Sequence, residues 1–167
     1  MFTSQQLFNF LDELKIKYQN YIHKPVFTVE QAMHLYEELP QFGQCKNLFL
    51  KDSKKNLWLV VALFDTQIRL KELSKKINAP ELRFADEKLL LEFLGVTPGS
   101  VTPLGLVNDK NHVVKVILDQ RLFDQEILGF HPLSNDATIL ITPQDLQKLI
   151  NVFKNQFQIL NFQELKN

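Results

Sequence analysis

Leu7, Leu11 and Leu14 fall three or four positions apart, the period of one helix face, and Thr3 with Gln6 ahead of them has the form of a capping box. The arrangement returns at Thr28 and Gln31, before Val29, Ala32, Met33 and Tyr36, so a second helix is predicted there, with a short strand near Tyr18 to His23 between the two. Beyond Gly43 the period changes. CKNLFL (45–50) and NLWLVVAL (56–63) are continuous apolar runs of strand length joined by the polar KDSKK, which predicts a hairpin in the middle of the fold.

Helical spacing resumes over 70–78 and over 86–94, the latter with Asp86 as N-cap and Gly95 as its stop. From Gly95 to Gly105, GVTPGSVTPLG carries too many glycines and prolines for a regular element and reads as a structured loop. Strands are predicted at 112–118, 126–130 and 137–141. Thr142 as N-cap and Pro143 as first helical residue then introduce a helix over QDLQKLINVF, and NQFQILNF alternates as a last strand. Strands that come both as hairpins and separated by helices give a mixed α/β (α+β) fold: a mixed, largely antiparallel central sheet flanked by helices.

Composition sets the outer limits. With 167 residues, 45% of them hydrophobic and 14 of them Phe, the chain can bury one core, so residues 1–167 are expected to form a single domain. No uncharged apolar run reaches the roughly 18 residues of a membrane span and no basic, apolar leader opens the chain, so a cytoplasmic protein without a membrane partner is expected. A lone Cys45 leaves no internal disulfide and no multi-thiolate zinc site. His23, His34, His112 and His131 lack the close pairing of metal ligands, and neither metal nor cofactor is expected. Nineteen basic and nineteen acidic residues cancel, which argues against a protein that holds nucleic acid, DNA included, by bulk charge. Their distribution is uneven. Eight bases stand against three acids from Lys46 to Lys76, and Arg121 stands alone against five acids from Asp119 to Asp145. One face could meet a phosphate chain, though solvated lysines on a hairpin and a helix produce the same excess.

Cys45 beside Lys46 raises the prospect of an activated thiolate, but no local pattern supplies a base, and a small buried hydrophobe at a strand start is the plainer reading. His23 and His34 read as surface or helix-face residues. No nucleophile elbow, P-loop, dinucleotide-binding glycine pattern or HExxH zinc motif occurs. Three segments are polar beyond their context: Lys46 and Asn47 at the mouth of an apolar strand, Gly99, Ser100 and Pro103 in a tight loop, and GFHPLSNDAT (129–138) with His131 and Asn135. Each alone is explained by turn and cap chemistry.

Together they resemble the YbaK/prolyl-tRNA editing-domain family, and within it the free-standing prolyl-tRNA deacylase-like branch. The signature runs as KNLFLKD (46–52), LWLVVAL (57–63), GVTPGSVTPLGLVND (95–109) and FHPLSNDAT (130–138), and the likeness extends from the first helix to the helix at 143–153. Two positions depart from it: Gln44, where relatives usually carry a His or similar residue, and Asp136, where they commonly have Asn-Thr-Ala-Thr.

The resemblance implies a trans-editing hydrolase that deacylates mischarged tRNA(Pro), most of all alanyl-tRNA(Pro), with the acceptor end of aminoacylated tRNA(Pro) as partner and prolyl-tRNA synthetase as a second one. Cysteinyl-tRNA(Pro) or another small aminoacyl-tRNA is the neighbouring alternative, and a non-catalytic tRNA- or synthetase-binding module the distant one. An aminoacyl-tRNA is an activated ester, so its hydrolysis needs a positioned water and stabilisation of the developing oxyanion more than a protein nucleophile or metal. A synthetase pocket built for proline excludes alanine weakly, because lost methylenes are worth only about 1–3 kcal/mol; a second, tighter site completes the selection. On this resemblance Lys46 and His131 are the catalytic candidates. Asn47, Gly99, Ser100, Pro103, Gly129, Phe130 and Asn135 are the substrate-binding ones, with Lys46 and Asn47 anchoring the ester end and terminal adenosine. His131 then binds the α-amino group or fixes the water, and Asn135 braces the histidine loop.

Overall fold

The computed structural model describes residues 1–165. Thr3 caps helix α1 (Ser4–Glu13): its hydroxyl accepts from the Gln6 amide at 3.1 Å and the Gln6 side chain accepts from the Thr3 amide at 2.8 Å, so both halves of the capping box close. Strand β1 (Gln19–Ile22) leads to α2 (Val29–Glu38), where Thr28 caps the Gln31 amide and Gln31 Oε1 reaches back to the Phe27 amide. No residue of α2 is fully buried, and Val29 and Met33 are exposed, so this helix lies on the surface with apolar side chains in solvent.

The hairpin is β2 (Cys45–Lys51) and β3 (Leu57–Leu63), antiparallel, with Cys45 opposite Leu63 and Lys51 opposite Leu57. Its turn is built on buried Asp52, whose carboxylate accepts from the Lys54 and Asn56 amides at 2.9 Å each and from the Trp58 indole N–H at 3.0 Å. Burial alone would raise this carboxyl, but the donors from Trp58, Asn56 and Lys54 outweigh it and hold it below the usual carboxylate range. Helix α3 (Leu70–Lys76) stops short of the predicted 78, where Asn78 turns the chain at φ 56°. Strand β4 (Arg83–Phe84) adds to the edge of β2, and α4 (Glu87–Leu94) runs from its Asp86 cap to Gly95 at φ 66°. The glycine- and proline-broken stretch ends in a 3-10 helix, Pro103–Asn108, capped by the Thr102 hydroxyl. Strand β5 (Val114–Asp119), a 3-10 turn at Gln120–Asp124, β6 (Leu128–Phe130), β7 (Ala137–Ile141), α5 (Pro143–Phe153) and β8 (Phe157–Leu160) follow, with a last 3-10 turn at Phe162–Leu165.

The class is the mixed α/β one expected, but the strands divide into two sheets in place of one central sheet. The larger has the order β4-β2-β3-β5-β8, antiparallel at β4, β2 and β3 and parallel from β3 through β5 to β8; the smaller is antiparallel, in the order β1-β7-β6. One core contains Phe49, Leu59 and Val116 of the larger sheet with Phe130 and Ile139 of the smaller. Leu50, Trp58 and Ile117, from alternate positions of the same strands, join Leu73 and Ile77 of the α3 segment in a second cluster. A short parallel bridge ties the two sheets: the Gly43 amide donates to the Ile127 carbonyl at 2.9 Å and the Gly129 amide to the Gly43 carbonyl at 3.3 Å. That bridge sets the entry of β2 beside β6, and so beside the loop that carries His131.

Candidate functional site

Asn47 shares its side of β2 with Cys45 and Phe49, which pack with the main core. Its Nδ2 donates to the Val101 carbonyl at 3.1 Å and so fastens the glycine loop to the strand. Its Oδ1 is buried and, among the described residues, without a hydrogen-bond partner. Leaving such an acceptor unmet costs about 1–3 kcal/mol, and Asn155 Oδ1 is the other buried side-chain atom in that state among the described residues. Further along that loop Gly99 is exposed at φ 90°, and a Cβ there would lie 3.9 Å from Asn135 Nδ2, which puts the glycine loop against the histidine loop.

His131 is half-buried, with Nδ1 2.9 Å from the Ala137 carbonyl. Only an N–H can meet a carbonyl, so the proton sits on Nδ1 and Nε2 is left as an acceptor. Burial pushes the pKa of this imidazole down, against the opposing pull of the Ala137 hydrogen bond, and the ring is neutral near pH 7. His23 lies edge-on to it, ring centroids 6.4 Å apart. Its Nδ1 donates to the Lys24 carbonyl at 2.8 Å and its Nε2 accepts from the Thr138 hydroxyl at 2.9 Å. Nothing local in the sequence marks His23 as part of this group: the link is the pairing of β1 with β7, which sets Tyr21 opposite Thr138.

The histidine loop is held differently from the expectation. Asn135 makes no side-chain hydrogen bond among the described residues; the bracing comes from Ser4 Oγ, which donates to the Pro132 carbonyl at 2.6 Å, and from Ser134 Oγ to Asp136 at 2.5 Å. Asp136 itself faces solvent. Ser100, Pro103 and Phe130 are enclosed by the protein and shape the loop and core, so their side chains present no surface to a ligand. Gly129 admits the Phe42 ring, whose nearest atom would be 2.4 Å from any Cβ at that position.

Lys46 belongs to the alternate set of β2 positions, with Leu48 and Leu50, which pack in the second cluster. The structure therefore sends Lys46 and Asn47 to opposite sides of the strand mouth. The Lys46 ammonium donates to the Thr66 carbonyl. Thr66 is fixed in turn by its hydroxyl, which donates to Asp119 at 2.5 Å and accepts from Arg121 at 2.9 Å. Asp119, fully buried, also accepts from the Leu63 amide at 3.1 Å. Asp65 is engaged by Arg121 at 2.9 Å, and the ion pairs among the described residues leave Lys46 half-buried with no carboxylate partner.

Cys45 is not a nucleophile in this setting: burial, reinforced by Asp119, pushes its thiol pKa far up and keeps it protonated. It lines an apolar cleft of about 450 Å³ between α2 and the start of β2, with Met33, Tyr36, Gln44 and Phe64 among its walls. Gln44 thus sits on the cleft wall, and its carbonyl accepts from the Phe64 amide at 2.8 Å. Among the described residues no group of three His, Cys, Asp or Glu is placed to hold a metal ion, and no helix is long and apolar enough to cross a membrane.

Comparison with known proteins gives this geometry a context. A family model described as the aminoacyl-tRNA editing domain matches residues 23–149. The chain is 38% identical over 151 residues to the prolyl-tRNA editing protein ProX of Acetoanaerobium sticklandii, covering 90% of this chain and 92% of that one. It is 44% identical over 146 residues to prolyl-tRNA synthetase associated domain-containing protein 1 of Xenopus laevis, covering 84% and 86%. A crystal structure titled as that of a candidate trans-editing enzyme for prolyl tRNA synthetase superposes with a TM-score of 0.69 over 96% of this chain and 98% of that chain, at 18% identity, a likeness of fold.

Proposed function

The chain belongs to the aminoacyl-tRNA editing domain family, and from that premise we propose that residues 1–167 act as one editing domain that hydrolyses mischarged tRNA(Pro), with alanyl-tRNA(Pro) as its principal substrate. The observation that carries the reading is the unmet Asn47 Oδ1, buried where β2 meets the glycine loop. An α-ammonium group brings three N–H donors, and an aminoacyl ester places them one carbon from the reacting carbonyl.

Each remaining group has a task in that reading. Neutral His131 offers Nε2 as an acceptor that orients the attacking water. Exposed Gly99, with no side chain in the way, lets main-chain N–H groups approach the oxyanion that forms as water adds to the ester carbonyl. Collapse of that adduct breaks the bond to the ribose oxygen, which leaves as the hydroxyl of the terminal adenosine. Lys46 meets the terminal phosphate, a role suited to an ammonium that forms no direct ion pair among the described residues, although the Asp65 carboxylate lies near enough to feel its charge. Tyr36 and Phe64, on the cleft beside Cys45, offer faces for the terminal base. Prolyl-tRNA synthetase, which forms the mischarged ester, is the partner that supplies substrate.

The test is single-turnover release of the amino acid from alanyl-tRNA(Pro) and cysteinyl-tRNA(Pro) by the purified protein and by Asn47→Ala. Fast release of alanine, slowed by the substitution, supports the reading. Release of cysteine alone moves the substrate to the neighbouring branch, and release of neither overturns hydrolysis.

A further inference from the structure

Lys46 and helix α3 lie on the side of the larger sheet that carries the second cluster, whereas Lys51 and Arg83 occupy alternate positions that face the other way. Helix α3 begins beside the turn that holds Lys46: Arg69 is its N-cap, and Thr66, three residues earlier, accepts from the Lys46 ammonium. It ends at the opposite end of β2, because the Pro80 carbonyl, just beyond the helix, accepts from the Ser53 amide of the hairpin turn at 2.8 Å. Lys71 and Lys75 lie one helical turn apart on a shared face, and both are exposed, as is Lys76. Lys54 and Lys55 are exposed on the hairpin turn, and Arg83 is exposed on β4, paired directly opposite Lys51. Like charges at helical i,i+4 spacing and across a strand pair each work against the fold.

Little at this end neutralises them. Among the described residues none of these cations forms an ion pair; Arg69, at the head of the helix, is the one cation of the segment that does, with Glu72 at 3.3 Å. Asp52 is spent on the backbone of its own turn and on Trp58, and the exposed acids that flank Arg83 in the chain, Glu81, Asp86 and Glu87, form no ion pair among the described residues. Helix α3 runs from the turn that holds Lys46 to the hairpin turn, so a line of positive charge leads from Lys46 through Lys71, Lys75 and Lys76 to Lys54 and Lys55.

We infer that this track, formed by α3 and the β2–β3 hairpin turn, is the docking surface for the phosphate backbone of the tRNA body, with Lys46 at its inner end. The inference rests on the hydrolase reading for the direction in which the RNA enters. A polyanion is the partner that an unneutralised line of lysines fits, because each phosphate contact releases counterions and adds affinity without base recognition.

The experiment compares wild type with K54Q/K55N/K75Q/K76Q, in which asparagine is used because Lys55 has φ 66°. Thermal melting checks the fold, and the pairs K54Q/K55N and K75Q/K76Q provide separate readings should the combined variant melt early. The quadruple variant is expected to bind uncharged tRNA(Pro) transcript at least about tenfold more weakly, with the slope of log K against log salt reduced by about 3, and each pair by about half of that. The KM for alanyl-tRNA(Pro) should rise by the same factor, while hydrolysis of an alanyl ester of the CCA trinucleotide is unchanged. Unchanged affinity, salt slope and KM overturn the inference. So does loss of binding to phosphatidylserine vesicles with tRNA binding intact, which would make the track a membrane surface. A wild type that hydrolyses neither substrate defeats the hydrolase reading alone, since the tRNA-binding slope still decides this one.

Discussion

Lys46→Ala removes a half-buried ammonium that forms no direct ion pair among the described residues, so it should slow deacylation of alanyl-tRNA(Pro) at least about tenfold, equivalent to about 1.4 kcal/mol of transition-state stabilisation, with the circular dichroism spectrum unchanged. Cys45→Ala should leave the rate within about twofold, since a thiol kept protonated by burial supplies no nucleophile. His131 titrates below the ordinary histidine range because burial disfavours its cation, so activity should hold as pH falls through about 6.5 and fail only at lower pH. Stability has its own sign. Between about 6.5 and the depressed folded pKa the unfolded chain binds the proton and the folded one does not, so the contribution of neutral His131 is fully present above this window and declines as pH falls through it. The neighbouring His23 adds to the lowering of the His131 pKa, so His23→Phe should move the acid limb of the pH–rate profile upward. Lys46, Asn47 and His131 enter the proposed site through the family signature, and the pleat of a strand already implies that neighbours 46 and 47 part to opposite sides. His23 was not, because Thr138, its hydrogen-bond partner, is 115 residues away and single-sequence reasoning has no access to that pairing.

The elements that hold these side chains depend on a few buried polar anchors. Asp119 joins the end of β3, the Thr66 turn and the start of the following 3-10 turn through Leu63, Thr66 and Arg121. Asp119→Ala leaves those donors unmet and should lower unfolding free energy by about 2–4 kcal/mol in a urea titration, with activity falling further as the Lys46 partner loosens. Gly129→Ala drives a methyl into the Phe42 ring and should be destabilising by about 1–3 kcal/mol. Caps and stops were legible where their chemistry is local: Thr3 with Gln6, Asp86, Gly95, and Thr142 before Pro143 all act as their residue types imply. Strand β4 was not, because two residues have no period, and the 3-10 turn at Gln120–Asp124 forms around the side chain of Asp119, which accepts from the Arg121 amide at 3.0 Å.

At the scale of the molecule, the mixture of parallel and antiparallel strands followed from the order of hairpins and helices, but the split into two sheets did not. β3 and β7 are both largely apolar in sequence and buried throughout, and which strand each pairs with is settled by contacts between distant segments, such as the bridge of Gly43 to Leu128. The excess of lysine was likewise visible as a count, whereas its line along α3 and the hairpin needed the Ser53 to Pro80 contact to place both ends. Selection between amino acids, in the proposed reading, would draw on β2 together with the glycine and histidine loops, which come from both halves of the chain. A closed site penalises overfilling more sharply than underfilling, so proline should be rejected where alanine is accepted. The most direct measurement is the single-turnover rate on alanyl-tRNA(Pro) against that on prolyl-tRNA(Pro) at matched concentration. The account predicts that alanine is released at least about tenfold faster; equal rates would contradict it.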